Sequence, residues 1–170
     1  RPDVRCDVRA IPEPAQTFDI VSSRHVLEHF MWDEAPALVQ EWMRILKAGG
    51  QFRVNLPNLA YAAREIIKAD ADPNVDVGLY PLWQVYGKQD GTAGEVHRTG
   101  FTQHGLKRLL ESCGLGNVEV KVEGKFGENL EATAVKGAHP EVLAIGPIWR
   151  VIEAHENGTP PEATSLISEE

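Results

Sequence analysis

Apolar residues recur along the chain with periods that predict alternating strands and helices. The run "FDIVSS", residues 18–23, is short, rich in β-branched side chains and preceded by the turn-like "IPEPAQ", which is typical of a buried strand. The earlier "PDVRCDV" alternates and is a weaker strand candidate. In "QFRVNLP" the residues Phe52, Val54 and Leu56 alternate with polar ones up to Pro57, so this segment is predicted to be another strand.

Three segments predict helices, and each carries its own start or stop signal. In "DEAPALVQEWMRILKAGG" the apolar positions fall on one helical face. Asp33 is its predicted N-cap, and Gly49 with Gly50 is its predicted stop. The segments "NLAYAAREIIKA" and "TQHGLKRLLESCG" begin at Asn58 and Thr102, which are both favoured N-cap residues.

Two further alternating segments, "NVEVKVEG" and "NLEATAVKG", predict strands near the end of this pattern. Between the second and third helices, residues 70–101 mix proline, glycine and aromatic residues without a clear period. A connection of this length is usually functional or disordered, and its aromatic residues argue against simple disorder. The order of elements indicates an α/β sheet of parallel strands covered by helices, with the last two strands forming an antiparallel edge.

The length of 170 residues favours a single domain. Residues 1–137 carry the predicted domain, and residues 138–155 are predicted to be a C-terminal arm. Residues 156–170 are polar and contain proline, so they are predicted to be a disordered tail. The chain begins at Arg1 with sequence typical of the middle of a domain, so we expect that its N-terminal part was trimmed or that its reading frame is incomplete.

Composition narrows the class of protein. The chain is 42% apolar and 25% charged, with a formal net charge of −8 and no basic run, so no nucleic-acid partner is expected. No apolar run approaches the ~20 residues that span a membrane, and no signal peptide opens the chain, so no membrane partner is expected. Two cysteines make no disulfide framework and suit a reducing compartment, which favours a cytoplasmic location.

The motif "HVLEHF" has two interpretations. The spacing of His25, Glu28 and His29 matches inverted zinc peptidases, in which two histidines one helical turn apart hold zinc. That interpretation requires a continuous helix, but a predicted strand ends two residues before His25, and Pro36 disfavours a long helix after it. No metal is therefore predicted. The second interpretation places these polar residues at the carboxyl end of a parallel strand, where open α/β sheets bind ligands.

A family resemblance extends the second interpretation. "CDVRAIPEPAQTFDIVSSRHVLEHF", then "RILKAGG" and a strand ending at Pro57, resembles the middle of a class I S-adenosylmethionine-dependent methyltransferase. The closest branch is that of ubiquinone- and menaquinone-biosynthesis enzymes, and "HRTGFT" before the last helix continues the match. The resemblance covers about residues 3–136. It implies an α/β fold with a Rossmann-like methyltransferase sheet, mostly parallel with an antiparallel edge, and N-terminally incomplete because the glycine-rich loop of the family is absent.

The resemblance also implies a site for S-adenosylmethionine. Asp7 and Val8 would lie beside the adenine of this cofactor, with the Asp7 carboxylate or the Val8 backbone N–H at its polar edge. Ser23, Arg24 and His25 would pass near the methionine part and the sulfonium.

Catalytic candidates follow from the same corner of the sheet. Methyl transfer is an in-line displacement in which positioning does most of the work, and a base is needed only when the acceptor must lose a proton. Three residues are predicted to be catalytic: His25, Glu28 and His29. Three residues of the long connection are predicted to bind substrate as part of a lid: Tyr86, Gln89 and His97.

These observations leave more than one hypothesis open. The first is S-adenosylmethionine-dependent methyl transfer to an unknown small molecule. The alternative is a non-catalytic methyltransferase-like module that forms a homodimer through an exposed sheet edge, because bare edges pair with partners. A zinc peptidase is the third and least favoured hypothesis.

Overall fold

A computed structural model describes residues 4–137 of the chain. Its strands are β1 (Phe18–Arg24), β2 (Leu46–Pro57), β3 (Leu115–Glu123) and β4 (Asn129–Lys136). Its helices are α1 (Ala35–Ile45), α2 (Leu59–Ala71), α3 (Tyr80–Tyr86) and α4 (Gln103–Ser112). Two short 3-10 turns, Leu27–His29 and Ala93–Glu95, connect these elements. Among the described residues, every helix is too short or too polar to cross a membrane.

The strands form one sheet in the order β1-β2-β4-β3. β1 is parallel to β2, and β4 is antiparallel to both β2 and β3, so three strands share one direction and β4 opposes them. The predicted antiparallel pair is present, but β4 lies inside the sheet and β3 forms its edge. The charged residues Glu119, Lys121 and Glu123 on β3 are exposed and suit an edge position. On β4, by contrast, Leu130 and Ala132 are fully buried.

The core lies between the sheet and the helices α1 and α4. β2 contributes Phe52, Val54 and Leu56, which are at most 1% exposed. These residues belong to one cluster with the apolar faces of the two helices, which include Leu38, Val39, Trp42, Leu106 and Leu110. Helix α2 buries only Ala62 and contacts α3, so these two helices lie apart from the main cluster. The predicted layered α/β architecture is confirmed for the described residues.

Helix α1 differs from its prediction at both ends. Its N-cap is Glu34 instead of Asp33, and no side chain caps it, since the Glu34 carboxylate accepts the Met31 N–H at 2.9 Å. It ends at Ile45, so the predicted stop at Gly49 was wrong. The reason is tertiary: Leu46 is fully buried and pairs with Phe18, so the chain enters β2 at once. Gly49 has φ +75° and lies within an irregular start of β2.

Three other predictions need correction. The run "FDIVSS" forms β1, but its predicted burial was wrong: only Ser23 is buried on this strand, because β1 lies at the edge of the described sheet. The weak strand candidate before β1 is irregular where the structure describes it, from residue 4 onward. One of its backbone carbonyls, Val8 O, accepts a hydrogen bond from the Trp42 Nε1–H of α1 at 3.0 Å instead of bonding to a neighbouring strand. The long connection predicted as irregular contains α3 and the turn Ala93–Glu95. The predicted arm at 138–155 and tail at 156–170 lie outside the described residues.

The caps predicted for the other helices are confirmed. Thr102 Oγ1 accepts the Gly105 N–H at 3.1 Å. Asn58 is 2% exposed, and its Oδ1 accepts the N–H groups of Ala60 and Tyr61. Asn58 Nδ2 also donates to Gly127 O at 2.8 Å, which ties the start of α2 to the β3–β4 turn.

We expect Asn58→Ala to lower the free energy of unfolding by about 2–3 kcal/mol, because it removes a helix cap and a buried hydrogen bond. Asn74→Ala is the matched control, since Asn74 is exposed and its hydrogen bonds within the described residues are to Asp72, two positions earlier. It should change stability by less than about 0.5 kcal/mol. Urea unfolding of both variants tests this expectation, and equal losses would contradict it.

Candidate functional site

Polar residues gather at the carboxyl end of β1. His25 follows the strand with φ +50°, a left-handed backbone that is uncommon outside glycine and turns the chain sharply. Its N–H donates to Asn55 O at 2.8 Å, so the register with β2 is kept up to this point. Leu27, fully buried, then anchors the 3-10 turn Leu27–His29 to the core. The turn therefore presents its polar side chains beside the strand end.

Glu28 is the buried acidic residue of this turn, with only 1% of its surface exposed. One carboxylate oxygen, Oε1, lies 3.2 Å from His25 Nδ1. The other, Oε2, has no hydrogen-bond partner among the described residues. The Glu28 backbone carbonyl accepts the N–H groups of Arg98 and Thr99 at 2.8 and 3.1 Å. These bonds hold the segment before α4 against the turn.

Two half-buried histidines meet next to Glu28. The rings of His29 and His97 are 4.9 Å apart between centroids and inclined by 72°. His29 Nδ1 lies 3.0 Å from Val96 O, and His97 Nδ1 lies 3.0 Å from Gln84 O. Because a carbonyl oxygen only accepts, each ring donates its Nδ1–H there and keeps a lone pair on Nε2. We call His25, Glu28, His29 and His97 the His–Glu cluster.

The cluster does not have the geometry of an inverted zinc peptidase. That pattern requires one continuous helix through His25 and His29. Here His25 has a left-handed backbone, and only residues 27–29 are helical, in a 3-10 turn. The two histidines therefore do not project from successive turns of one helix.

An apolar groove of about 340 Å³ runs along β1, and we call it the β1 groove. Its lining includes the apolar residues Val8, Ile11, Ile20 and Val21 and, toward the strand end, Ser23 and Arg24. Ser23 is 8% exposed, and its hydroxyl has no hydrogen-bond partner among the described residues. The groove has the size of a small-molecule site and combines apolar walls with an unsatisfied polar group.

Asp7 and Val8, predicted to lie together beside a cofactor, occupy different positions. Val8 lines the groove, and its carbonyl accepts the indole N–H of Trp42. The exposed Asp7 is absent from the groove lining, and its carboxylate accepts hydrogen bonds from Arg9 at 2.8–3.2 Å. Those side-chain hydrogen bonds lower the pKa of Asp7 to about 2. The Asp7 carboxylate is thus already paired.

Of the three residues predicted to bind substrate, only His97 reaches the His–Glu cluster. The Tyr86 side chain is 57% exposed, and its backbone carbonyl accepts the His97 N–H and the Gln89 side-chain amide. Tyr86 and Gln89 thus take part in holding the segment that carries His97. The sequence did not indicate Gln84, whose backbone carbonyl accepts a hydrogen bond from the ring of His97. Any residue type can supply a backbone carbonyl, so such a contact is not visible in the sequence.

Sequence reasoning also missed the residues that hold the groove wall. Arg44 donates to Glu13 O and Ile11 O at 2.8 and 2.9 Å, and it pairs with Glu41 at 2.7 Å. Glu41 Oε1 accepts the Ile11 N–H at 2.8 Å. The spacing of Glu41 and Arg44 indicates only a helical surface pair. Their hydrogen bonds to the loop before β1, about 30 residues earlier in the chain, are tertiary contacts that no pattern in the sequence indicates.

With this geometry described, comparison with known proteins identifies the fold. Residues 1–54 match a family model described as "Methyltransferase domain". A SAM-dependent methyltransferase from Methanosarcina mazei aligns with a TM-score of 0.54 at 17% identity, over 78% of this chain and 66% of its own. The chain has the fold of SAM-dependent methyltransferases. The predicted Rossmann-like methyltransferase sheet is confirmed.

Other methyltransferase structures show the same similarity. A SAM-dependent methyltransferase from Thermotoga maritima aligns with a TM-score of 0.52 at 14% identity, over 78% of this chain and 63% of its own. The 1,6-didemethyltoxoflavin-N1-methyltransferase of Burkholderia thailandensis, solved with its substrate and S-adenosylhomocysteine, aligns with a TM-score of 0.50 at 19% identity, over 79% and 50%. The chain therefore spans between half and two thirds of the length of these structures. No curated protein sequence matches it.

Glu41 and Arg44, with their hydrogen bonds to Ile11 and Glu13, form what we call the Glu41 clamp. This clamp predicts that stability depends on pH. Hydrogen bonds from Arg44, chiefly, lower the pKa of Glu41 to about 2 from its usual 4.5. Because the folded-state pKa is depressed, the stabilisation is fully present above pH 4.5 and disappears as pH falls to about 2. Glu41→Gln should therefore destabilise the chain at pH 7, and its difference from the wild type should shrink toward pH 2. Urea unfolding at several pH values measures this, and a constant difference would refute the assignment.

The close approach of Gly87 to the segment that carries His97 predicts that a larger residue at this position displaces that segment. It has φ +72°, and a Cβ here would overlap the backbone of Glu95 and His97, whereas a Cβ at Gly91, φ +87°, meets open space. Both alanine variants bear the left-handed penalty of roughly 1–2 kcal/mol. Gly87→Ala should be the more destabilising and should also speed amide exchange at His97. Hydrogen exchange with Gly91→Ala as control checks this, and similar exchange at His97 in both variants would argue against it.

Proposed function

We propose that the chain is a SAM-dependent methyltransferase domain that transfers a methyl group to a small molecule. The observation that carries the proposal is the buried hydroxyl of Ser23 at the polar end of the β1 groove, which has no hydrogen-bond partner in the described part of the chain. This position is the carboxyl end of a parallel strand, where open α/β sheets bind their ligands. The methyltransferase fold and the family match over residues 1–54 support the same site.

The residues of the groove fit S-adenosylmethionine chemically. Val8 and the neighbouring apolar side chains offer a surface for the adenine, and the Val8 backbone is the group we assign to its polar edge. Ser23 offers a hydroxyl, and the Arg24 guanidinium offers charge to the carboxylate of the methionine part. When bound, the cofactor supplies an activated methyl group on its sulfonium. Asp7, paired with Arg9, contributes by fixing the loop that carries Val8.

The acceptor side of the site is the His–Glu cluster. His25 directly follows Arg24, which lines the groove, and its Nδ1 lies 3.2 Å from Glu28 Oε1 in the turn, so it connects the end of the groove to the turn. His25 or His29 accepts a proton from acceptors that must lose one, and Glu28 orients the His25 ring through its Oε1. The placement of His97 next to His29 supports its role at the acceptor.

The acceptor is proposed only as a small molecule. The similar Burkholderia thailandensis enzyme acts on 1,6-didemethyltoxoflavin, a small molecule, which supports the class but not the compound. Assignment to the ubiquinone- and menaquinone-biosynthesis branch and a cytoplasmic location remain predictions from the sequence.

The second candidate function is that of a non-catalytic interaction module that forms a homodimer through the edge of β1. One observation favours it. Phe18 and Ile20 on this strand are 39% and 51% exposed, and β1 pairs only with β2 among the described residues. Such an interface would cover part of the β1 groove. Sedimentation of the chain over a range of concentrations, with and without S-adenosylhomocysteine, separates the candidates: dimerisation that the ligand does not affect favours the interaction module.

Titration calorimetry with S-adenosylhomocysteine tests the proposed function. We expect saturable one-to-one binding to the 170-residue chain. Ser23→Ala removes one hydrogen-bonding group from the groove and should weaken binding by roughly 3- to 10-fold. Ser112→Ala is the control, because its hydroxyl donates to Leu109 O on α4, away from the groove. Absence of binding at millimolar ligand, or equal losses in both variants, would contradict the proposal.

A further inference from the structure

Glu28, His29 and His97 share a feature that methyl transfer does not require. Each offers a metal-ligand atom that lies within 4.8 Å of those of the other two. Two imidazoles and one carboxylate form the donor set of many zinc sites with an open coordination position. We propose that these three residues bind a divalent transition-metal ion, with Zn²⁺ as the best fit.

The hydrogen bonds of the two histidines prepare them as ligands. Each Nδ1–H is engaged by a backbone carbonyl, Val96 O for His29 and Gln84 O for His97, both at 3.0 Å. Metal-binding histidines commonly donate their second ring N–H to such an acceptor, which fixes the tautomer and the ring orientation. The lone pair on each Nε2 is therefore the assigned ligand.

Glu28 supplies an independent observation. Its side chain is only 1% exposed, and Oε2 has no hydrogen-bond partner among the described residues. Burying an unsatisfied carboxylate oxygen is costly, and a cation beside it removes that cost. The other oxygen, Oε1, is held by His25 at 3.2 Å, so the carboxylate is oriented by a residue outside the ligand set.

Small side-chain movements bring the three ligands to coordination distance. Zinc–nitrogen bonds of about 2.0–2.1 Å place tetrahedral ligand atoms about 3.3 Å apart. Each of the three residues has a potential ligand atom within 4.8 Å of one in each of the other two, so coordination through those atoms requires each pair to approach by at most about 1.5 Å. The backbone already joins the two segments, because Glu28 O accepts the N–H groups of Arg98 and Thr99.

The site differs from the zinc pattern in the sequence. The spacing within "HVLEH" nominates His25 and His29 as ligands, whereas the structure nominates His29 with His97, which is distant in the chain. Three protein ligands leave at least one position for water or an oxygen donor. Metal binding uses the lone pair of His29, so His25 becomes the base candidate of the proposed methyl transfer. Binding of the metal ion does not require S-adenosylmethionine. The test of the metal site is therefore independent of the proposed methyl transfer.

Zinc titration of the untagged chain, stripped with EDTA and dialysed, tests the site. We expect one Zn²⁺ per chain with a Kd below about 1 µM. His97→Gln and His29→Gln should each weaken binding by on the order of 100-fold or more, since they remove a ligand. His104→Gln, on exposed α4 surface, should bind as the wild type does. Excess Mg²⁺ should not compete, because nitrogen donors do not suit it.

His25→Gln separates the two zinc interpretations. If Glu28, His29 and His97 are the ligands, His25→Gln should keep the one-to-one stoichiometry of Zn²⁺ binding. Its affinity should fall by at most about 10- to 100-fold, as expected of a residue that only orients a ligand. Bound Co²⁺ should show the strong visible absorption of a four- or five-coordinate ion. Circular dichroism in EDTA shows whether each variant is folded. If one of the two ligand variants does not fold, the other still tests the site. No stoichiometric Zn²⁺ in the wild type, or wild-type affinity in folded His97→Gln, would overturn the proposal.

Discussion

Burial of the Glu28 carboxylate is the constraint on which the site depends. A carboxylate in the interior must be hydrogen-bonded or paired with a cation, or folding carries a large desolvation cost. Glu28 is 1% exposed, and only Oε1 has a partner in the described part of the chain. Two neighbouring features accommodate this side chain. The backbone of His25 is left-handed, and the His25 ring lies beside the Glu28 carboxylate. The Glu28 backbone carbonyl holds the segment that contains His97.

The groove depends on a second set of polar contacts, made by helix α1. Trp42 and Arg44 extend from the helix to the backbone carbonyls of the loop before β1, and Glu41 completes the clamp from the same helix. Apolar packing alone would leave this loop free, because most of its residues are exposed. One helix thus covers the core with its apolar face and, with its polar border, holds the loop that lines the β1 groove.

The sequence specifies local features better than tertiary ones. The caps at Asn58 and Thr102, the position of the strand "FDIVSS" and the polar corner after it follow from nearest-neighbour chemistry, and the structure agrees. The predicted burial of that strand does not hold, because burial is set by the elements that pack against a strand and not by its own residues. The end of α1 was mispredicted because burial of Leu46 outweighs the glycines that follow. His97 could be named as a site residue, but its contact with His29 spans a connection whose path no periodic pattern encodes. The positions of β3 and β4 were likewise beyond local pattern, since either strand of the hairpin alternates well enough to pair with β2.

The internal place of β4 has a consequence for how the protein is made. The sheet is continuous only when β4, whose last residue is Lys136, lies between β2 and β3. During synthesis β1 and β2 leave the ribosome well before β4 does, and until then the inner edge of β2 has no strand beside it. Such an edge is a template for pairing with other nascent chains. Closing the sheet is therefore a late, long-range step, and until it occurs the unpaired edge of β2 is open to aggregation.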